Sequence, residues 1–201
     1  MSDMPNIPGQ SGPSEKARPF FLIAILIVVA VSSFYIGYKT SPQLQQAAAS
    51  ALSVDSNELL VTSPNAEDYF VSLISSANQS IDVEMYVFSD KRLAEGLIAA
   101  KNRGVKVRVI LERRIEGDTS DDVIALLNAA DVDLRYASTS FKLTHSKFAI
   151  VDGKISVVGS HNWTAAAMTK NRETSVQTDD PAFVLQLSGM FEQDWLIATA
   201  A

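Results

Sequence analysis

The stretch His145-Ser146-Lys147-Phe148-Ala149-Ile150-Val151-Asp152-Gly153-Lys154 runs on into Gly159-Ser160-His161-Asn162 and then Asn171-Arg172-Glu173. His145 and Lys147 lie two residues apart, so on a strand they share a face. Ser146, Phe148 and Ile150 take the opposite face, the latter two as core material. An imidazole beside an ammonium is not a packing choice. It sets a nucleophile or proton donor next to a fixed positive charge, which suits an anionic substrate. Asn162 and Ser160 can add neutral donors to the same anion, or cap a helix starting at Trp163. Asp152 faces away from His145 by strand parity. Asp152-Gly153 between alternating apolar runs signals a type I′ hairpin, so Asp152 is expected to be structural.

Working outward, Leu59–Thr62 reads as a short strand, and Ala66, Phe70, Leu73, Ile74 and Ala77 recur at helical spacing. Ile81, Val83, Met85 and Val87 alternate as a strand; Leu93, Leu97 and Ile98 mark a helix; Val105, Val107, Val109 and Leu111 alternate again. A polar loop with Gly117, a short helix over 121–130 and a strand near 132–136 follow. The last third reads as strand, hairpin, strand, short helix, strand 174–178 and a closing helix 181–197. This alternation predicts an α/β domain, a mixed and mostly parallel β-sheet with helices on both faces, over residues 57–201.

Ahead of that domain, residues 1–18 are rich in Pro, Gly and Ser and read as a disordered head. The uncharged run Phe20–Tyr38 would make a helix of roughly 28 Å, about one hydrocarbon core, which places a transmembrane anchor at 19–39. A cleaved signal sequence is the competing reading, with an A-x-A-like site at Ala49-Ser50-Ala51. Residues 40–56 read as a linker. Lys16 and Arg18 before the run, against Lys39 after it, put the head inside and the domain outside.

The chain of 201 residues has no cysteine and two histidines, which excludes a disulfide scaffold, a thiolate metal site and a histidine-rich metal cage. Its net charge of −6 argues against a nucleic-acid binder until the charge is mapped. Between Arg135 and Arg172 stand six bases (Arg135, Lys142, Lys147, Lys154, Lys170, Arg172) against one acid, Asp152. A basic mouth on an acidic body suits a polyanion, whether nucleic acid or anionic phospholipid.

His145, Lys147, Asp152, Gly159, Ser160 and Asn162 match residue for residue the pattern H-x-K-x4-D-x6-G-S-x-N, so the chain resembles the HKD, or phospholipase D, superfamily. One motif in a short chain with a downstream Glu, here Glu173, is similar to the Nuc-like endonuclease group. The resemblance spans roughly residues 57–198 and implies a phospholipase D-like fold. It also implies a phosphodiesterase in which one histidine attacks phosphorus and a second protonates the leaving oxygen. Neither step calls for a metal or other cofactor. Lys147 and Asn162 would bind the non-bridging oxygens, and Glu173 would accept from the imidazole and fix its tautomer. That mechanism uses two motif histidines and this chain supplies one, so a homodimer with its active site on the two-fold axis is expected.

The favoured reading is an endonuclease cleaving DNA or RNA, held in or exported across a bacterial inner membrane with the domain in the periplasm. The alternatives are a membrane-anchored phospholipase D or cardiolipin hydrolase, and a non-catalytic polyanion-binding module. Arg113, Arg114, Lys142, Lys170 and Arg172 are candidate substrate contacts, with a plain surface loop the alternative for the first two. His161 reads as a loop residue at the pocket rim and Trp163 as core. Asp82 and Glu84 share a strand face and read as solvated or salt-bridged.

Overall fold

A computed structural model describes residues 57–201 apart from Asn65 and residues 116–119. The disordered head, the anchor or signal sequence, the linker and the Gly117 loop all lie outside the described residues. Among the described residues no helix is long and apolar enough to cross a membrane.

Eight strands form one sheet: β1 (Glu58–Thr62), β2 (Ser80–Met85), β3 (Lys106–Leu111), β4 (Asp133–Tyr136), β5 (Lys147–Val151), β6 (Ile155–Gly159), β7 (Thr174–Thr178) and β8 (Thr199–Ala200), in the order β1-β7-β6-β5-β2-β3-β4-β8. The helices are α1 (Ala66–Ser76), α2 (Lys91–Asn102), α3 (Asp121–Ala129), α4 (Ala165–Thr169) and α5 (Pro181–Ile197). The sheet is mixed, as expected, but it is not mostly parallel. Only β2–β3 and β3–β4 pair parallel, and the other five pairings are antiparallel. The reason is connectivity. Crossover helices α2 and α3 join β2, β3 and β4, whereas a tight hairpin joins β5 to β6 and forces antiparallel pairing. Periodicity reports that a residue is in a strand, not which strand lies beside it.

Helices cover both faces. Ile81, Val83 and Met85 of β2 point to one side, against Phe70, Leu73 and Ile74 of α1, Leu93 and Leu97 of α2, and Val123 and Leu127 of α3. Ile110, Phe148 and Ile150 point to the other, against Val184, Phe191 and Trp195 of α5. Asp82 and Arg108, side by side in register, face this second layer. Arg108 is buried, donates twice to Asp82 (2.7 and 2.9 Å) and twice to Glu192 of α5 (2.6 and 3.2 Å), and lies over the Phe191 ring. Asp82 is therefore salt-bridged, one of its two expected states. Glu84 is neither solvated nor salt-bridged. It is 1 % exposed and has no cationic partner among the described residues, with Ser146 and Asp194 as its polar neighbours. Its face was read correctly from the alternation, but α5 covers that face.

The β5–β6 hairpin fixes the register on which the site depends. Asp152 and Gly153 both take positive φ (55° and 62°), as a type I′ turn demands. The Asp152 carboxylate accepts from the backbone N–H groups of Asn78, Gln79 and Ser80 (3.1, 2.7 and 3.0 Å), lashing the hairpin to the start of β2. Burial works to raise its pKa, but these backbone donors outweigh it and hold the carboxyl below its ordinary value. Asp152→Ala is expected to cost about 1.5–3 kcal/mol in urea unfolding, as for other charge-assisted hydrogen bonds, while turnover per folded molecule stays within twofold. Because the folded pKa is depressed, this stabilisation is present above the unfolded pKa near 4 and is lost as pH falls through the folded value.

Candidate active site

His145, Lys147, Gly159, Ser160, Asn162 and Glu173 gather at the end of the sheet where β2 leaves, β5 enters, β6 leaves and β7 enters; Asp152, in the β5–β6 turn, lies at the opposite end. Lys147 is the first residue of β5 and pairs with Met85, the last of β2; Gly159 ends β6 opposite Ser175 of β7. Strand ends suit a site because the backbone there is free to turn its groups toward a ligand. His145 stands just outside the strand, in the loop entering β5, and is exposed. The Lys147 Nζ donates back to the His145 backbone carbonyl (2.9 Å), which holds the ammonium beside the histidine's backbone even though His145 is not part of the strand.

Tyr86, which the sequence reading passed over, organises this pair. Its ring meets the His145 imidazole edge-to-face at 4.2 Å, and the Lys147 ammonium lies 4.9 Å over the same ring. One aromatic thus orients the imidazole and holds the cation. The signal was available: Tyr86 is an aromatic on the polar face of that alternation, two residues after Glu84. Burial draws the Lys147 pKa down, and the Glu173 carboxylate works against that shift.

Gly159 is required by contact. A Cβ there would sit 2.4 Å from the Ser175 Cα and 2.4 Å from the Thr174 carbonyl oxygen, so only glycine permits the β6–β7 approach. That approach brings Ser160 beside Glu173. The Ser160 hydroxyl donates to Glu173 Oε2 and accepts from the Thr174 N–H (3.0 Å), while Asn171 Nδ2 donates to Glu173 Oε1 (3.0 Å). Glu173 thus accepts from Ser160 and Asn171, and its partners do not include the His145 imidazole. Burial works to raise its pKa, but Ser160, Asn171 and the nearby His161 and Lys147 hold it below the ordinary carboxylate value.

Asn162 is half-buried, and its Oδ1 accepts from the Val87 N–H (3.3 Å), which leaves its Nδ2 end free to donate. Neither Asn162 nor Ser160 caps a helix: α4 begins at Ala165 under a Thr164 cap that accepts from the Ala167 N–H. Trp163 is buried, as expected, with its ring against Phe70 and Phe88.

His161 is not at the pocket rim. It is 2 % exposed, with Nε2 3.1 Å from Ser63 Oγ and Nδ1 2.8 Å from Ser175 Oγ. Ser63 spends its single hydroxyl proton on the Ala167 carbonyl. It must therefore accept from His161, which makes Nε2 the protonated nitrogen and leaves Nδ1 to accept from Ser175. Burial lowers the His161 pKa against the pull of Glu173, consistent with a neutral ring. With both ring nitrogens committed inside the protein, His161 cannot exchange a proton with substrate.

Among the basic candidates, Lys142, Lys170 and Arg172 are exposed on segments flanking the motif. Arg113 pairs with Asp121 (2.6 Å) and lies over the Tyr136 ring. Arg114 is built into a clamp. It donates to both oxygens of Glu112 (2.8 and 2.7 Å) and to the carbonyls of Ser138 (3.0 Å) and Phe141 (2.7 Å). Glu112, 1 % exposed, also accepts from the Thr144 N–H (2.8 Å). Although its burial opposes ionisation, Arg114 and these N–H groups hold its pKa at about 2. Both arginines are thus engaged with neighbouring segments of the chain.

Residues 70–195 match the family model described as cardiolipin synthase, PLD-like domain. The chain is similar to the mitochondrial cardiolipin hydrolase of Xenopus tropicalis, 36 % identical over 123 residues that cover 61 % of this chain and 58 % of that protein. It is 33 % identical to a phospholipase D of Rickettsia conorii over 129 residues, 64 % of this chain and 61 % of the other. The chain thus spans somewhat over half the length of these curated relatives. Among solved structures it resembles the phospholipase D family member Nuc of Salmonella typhimurium, with TM-score 0.66 and 30 % identity, covering 73 % of this chain and 99 % of that one.

Proposed function

Because this chain belongs to the phospholipase D-like family and is a phosphodiesterase of that superfamily, we propose that it is an endonuclease working through a phosphohistidine at His145 and completed by a second copy of itself. A His145 ring nitrogen attacks phosphorus, the bond to the leaving oxygen breaks, and that oxygen takes a proton from the partner's His145. The partner's imidazole, now neutral, removes a proton from water as the water attacks phosphorus. The P–N bond then breaks and His145 is regenerated. No step draws on a metal ion. Lys147 and the Nδ2 of Asn162 are the donors for the non-bridging oxygens, and Tyr86 keeps the imidazole at its angle of attack. Glu173 acts through Ser160 and through its charge rather than on the imidazole.

The observation that carries this reading is the commitment of both His161 nitrogens to Ser63 and Ser175. With two histidines in the chain, a second histidine able to act as general acid would come from another copy. Nucleic acid is favoured because the likeness to Nuc covers 99 % of that chain, and because exposed Lys142, Lys170 and Arg172 flank the motif, as a long polyanion needs. The names of the curated relatives support a second reading, cardiolipin hydrolysis. The run Phe20–Tyr38, outside the described residues, is proposed as a single-pass inner-membrane anchor with the domain in the periplasm.

The test uses a heterodimer of one wild-type and one His145→Ala chain, isolated through two different affinity tags and assayed on plasmid, single-stranded DNA and cardiolipin vesicles in excess EDTA. A shared site predicts near-background DNA cleavage, against robust cleavage by the wild-type dimer. Half the wild-type rate, or an active wild-type monomer in sedimentation, would refute the shared site. Hydrolysis of cardiolipin with DNA left intact would move the assignment to lipid.

A further inference from the structure

The loop between β4 and β5 ends on the catalytic histidine, and it is built to hold still while presenting an aromatic ring. Arg114 ties down the carbonyls of Ser138 and Phe141, and the Thr144 N–H is held by Glu112. Between those ties Phe141 is 54 % exposed, with exposed Lys142 beside it. A loop clamped at three points by Arg114 and the buried Glu112 does not leave a phenylalanine in water for want of packing. Phe141 stands four residues before His145, so its Cα lies within about 14 Å of the histidine's at full extension. That is a few nucleotides along a strand whose scissile phosphate sits at His145.

We propose that Phe141 is a stacking platform for an unpaired base next to the scissile phosphate, with Lys142 on the adjoining phosphate, and that it biases the enzyme toward single-stranded nucleic acid. This rests on the nucleic-acid reading of the site. An aromatic face offers sequence-tolerant stacking to any base, and a ring on a tied backbone loses less entropy on binding than one on a free loop. In a duplex the base faces are already buried against their neighbours, so the ring gains nothing there. Leu143, partly exposed on the far side of Lys142, would enlarge the apolar shelf under the base.

The test is steady-state kinetics of the full-length chain and its Phe141→Ala and Phe141→Trp variants on three substrates. These are a labelled single-stranded oligonucleotide, the same sequence closed into a duplex hairpin, and bis(p-nitrophenyl) phosphate, which has no base to stack. Expected is about a tenfold rise in KM for the single strand in Phe141→Ala, corresponding to roughly 1.4 kcal/mol, recovered in Phe141→Trp. Duplex and small-diester constants should stay within twofold. An unchanged KM for the single strand overturns the proposal, and so does an equal loss on all three substrates, which would mean the loop had collapsed onto His145. If the wild-type chain hydrolyses the small diester and cardiolipin vesicles but neither oligonucleotide, the nucleic-acid reading fails and this inference with it.

Discussion

His145→Ala is expected to abolish phosphodiester cleavage, lowering kcat by more than about 10⁴-fold. General acid–base catalysis alone contributes about 10²–10⁴-fold, and in a symmetric dimer one substitution removes both the nucleophile and the acid. KM should change little, because Lys147 and Asn162 remain to bind the phosphate. Circular dichroism and the unfolding midpoint should be unchanged, since the imidazole is exposed and its one described ring contact is the edge of Tyr86. His161→Ala should behave in the opposite way. Its removal leaves Ser63 and Ser175 without their shared partner inside the protein, so stability falls first and activity only with it. A His145→Ala protein that keeps even a hundredth of wild-type kcat would show that the attacking group lies elsewhere.

Glu84→Gln is expected to stabilise the protein at neutral and alkaline pH. Burial, aided by the negative charge of Asp194 and opposed by Ser146, pushes the Glu84 carboxyl up to about 7 from its ordinary 4.5. As pH rises through 4.5 the unfolded chain releases this proton while the folded chain keeps it to about 7. The Glu84 contribution to stability therefore falls across that window and is flat on either side. The loss amounts to about 3 kcal/mol at pH 8, at 1.36 kcal/mol per pH unit. Glutamine keeps the shape and does not titrate, so urea unfolding should show the variant more stable by up to that amount at pH 8 and equal to wild type at pH 4. Parallel pH profiles for the two proteins would contradict the burial account of Glu84.

What the sequence made legible was what spacing encodes. Strand parity separated Lys147 from Phe148, and the structure puts the former at the site and the latter in the α5 layer. The Asp152-Gly153 pair announced a turn that the structure builds with two positive φ values. Two kinds of fact escaped. Pairing partners are absent from a periodicity, so the sheet is far less parallel than expected. Long-range polar partners are equally silent: Ser63 lies 98 residues from His161, and nothing near either serine or histidine says that they meet. The same holds for Glu84, whose surroundings are set by the distant α5, Asp194 included. Spacing is equally silent on the Ser160–Glu173 contact, which the tight β6–β7 approach at Gly159 creates.

The central claim is a covalent bond from phosphorus to His145, and intact-protein mass spectrometry of an acid-free, alkaline quench during turnover of a short single-stranded oligonucleotide tests it most directly. The account predicts an adduct equal in mass to one cleavage fragment. It should map to the peptide bearing His145, resist alkali, be lost on brief acid treatment as a phosphoramidate should, and be absent from His145→Ala. Rapid cleavage with no adduct on the millisecond timescale, or cleavage abolished by EDTA, would contradict it.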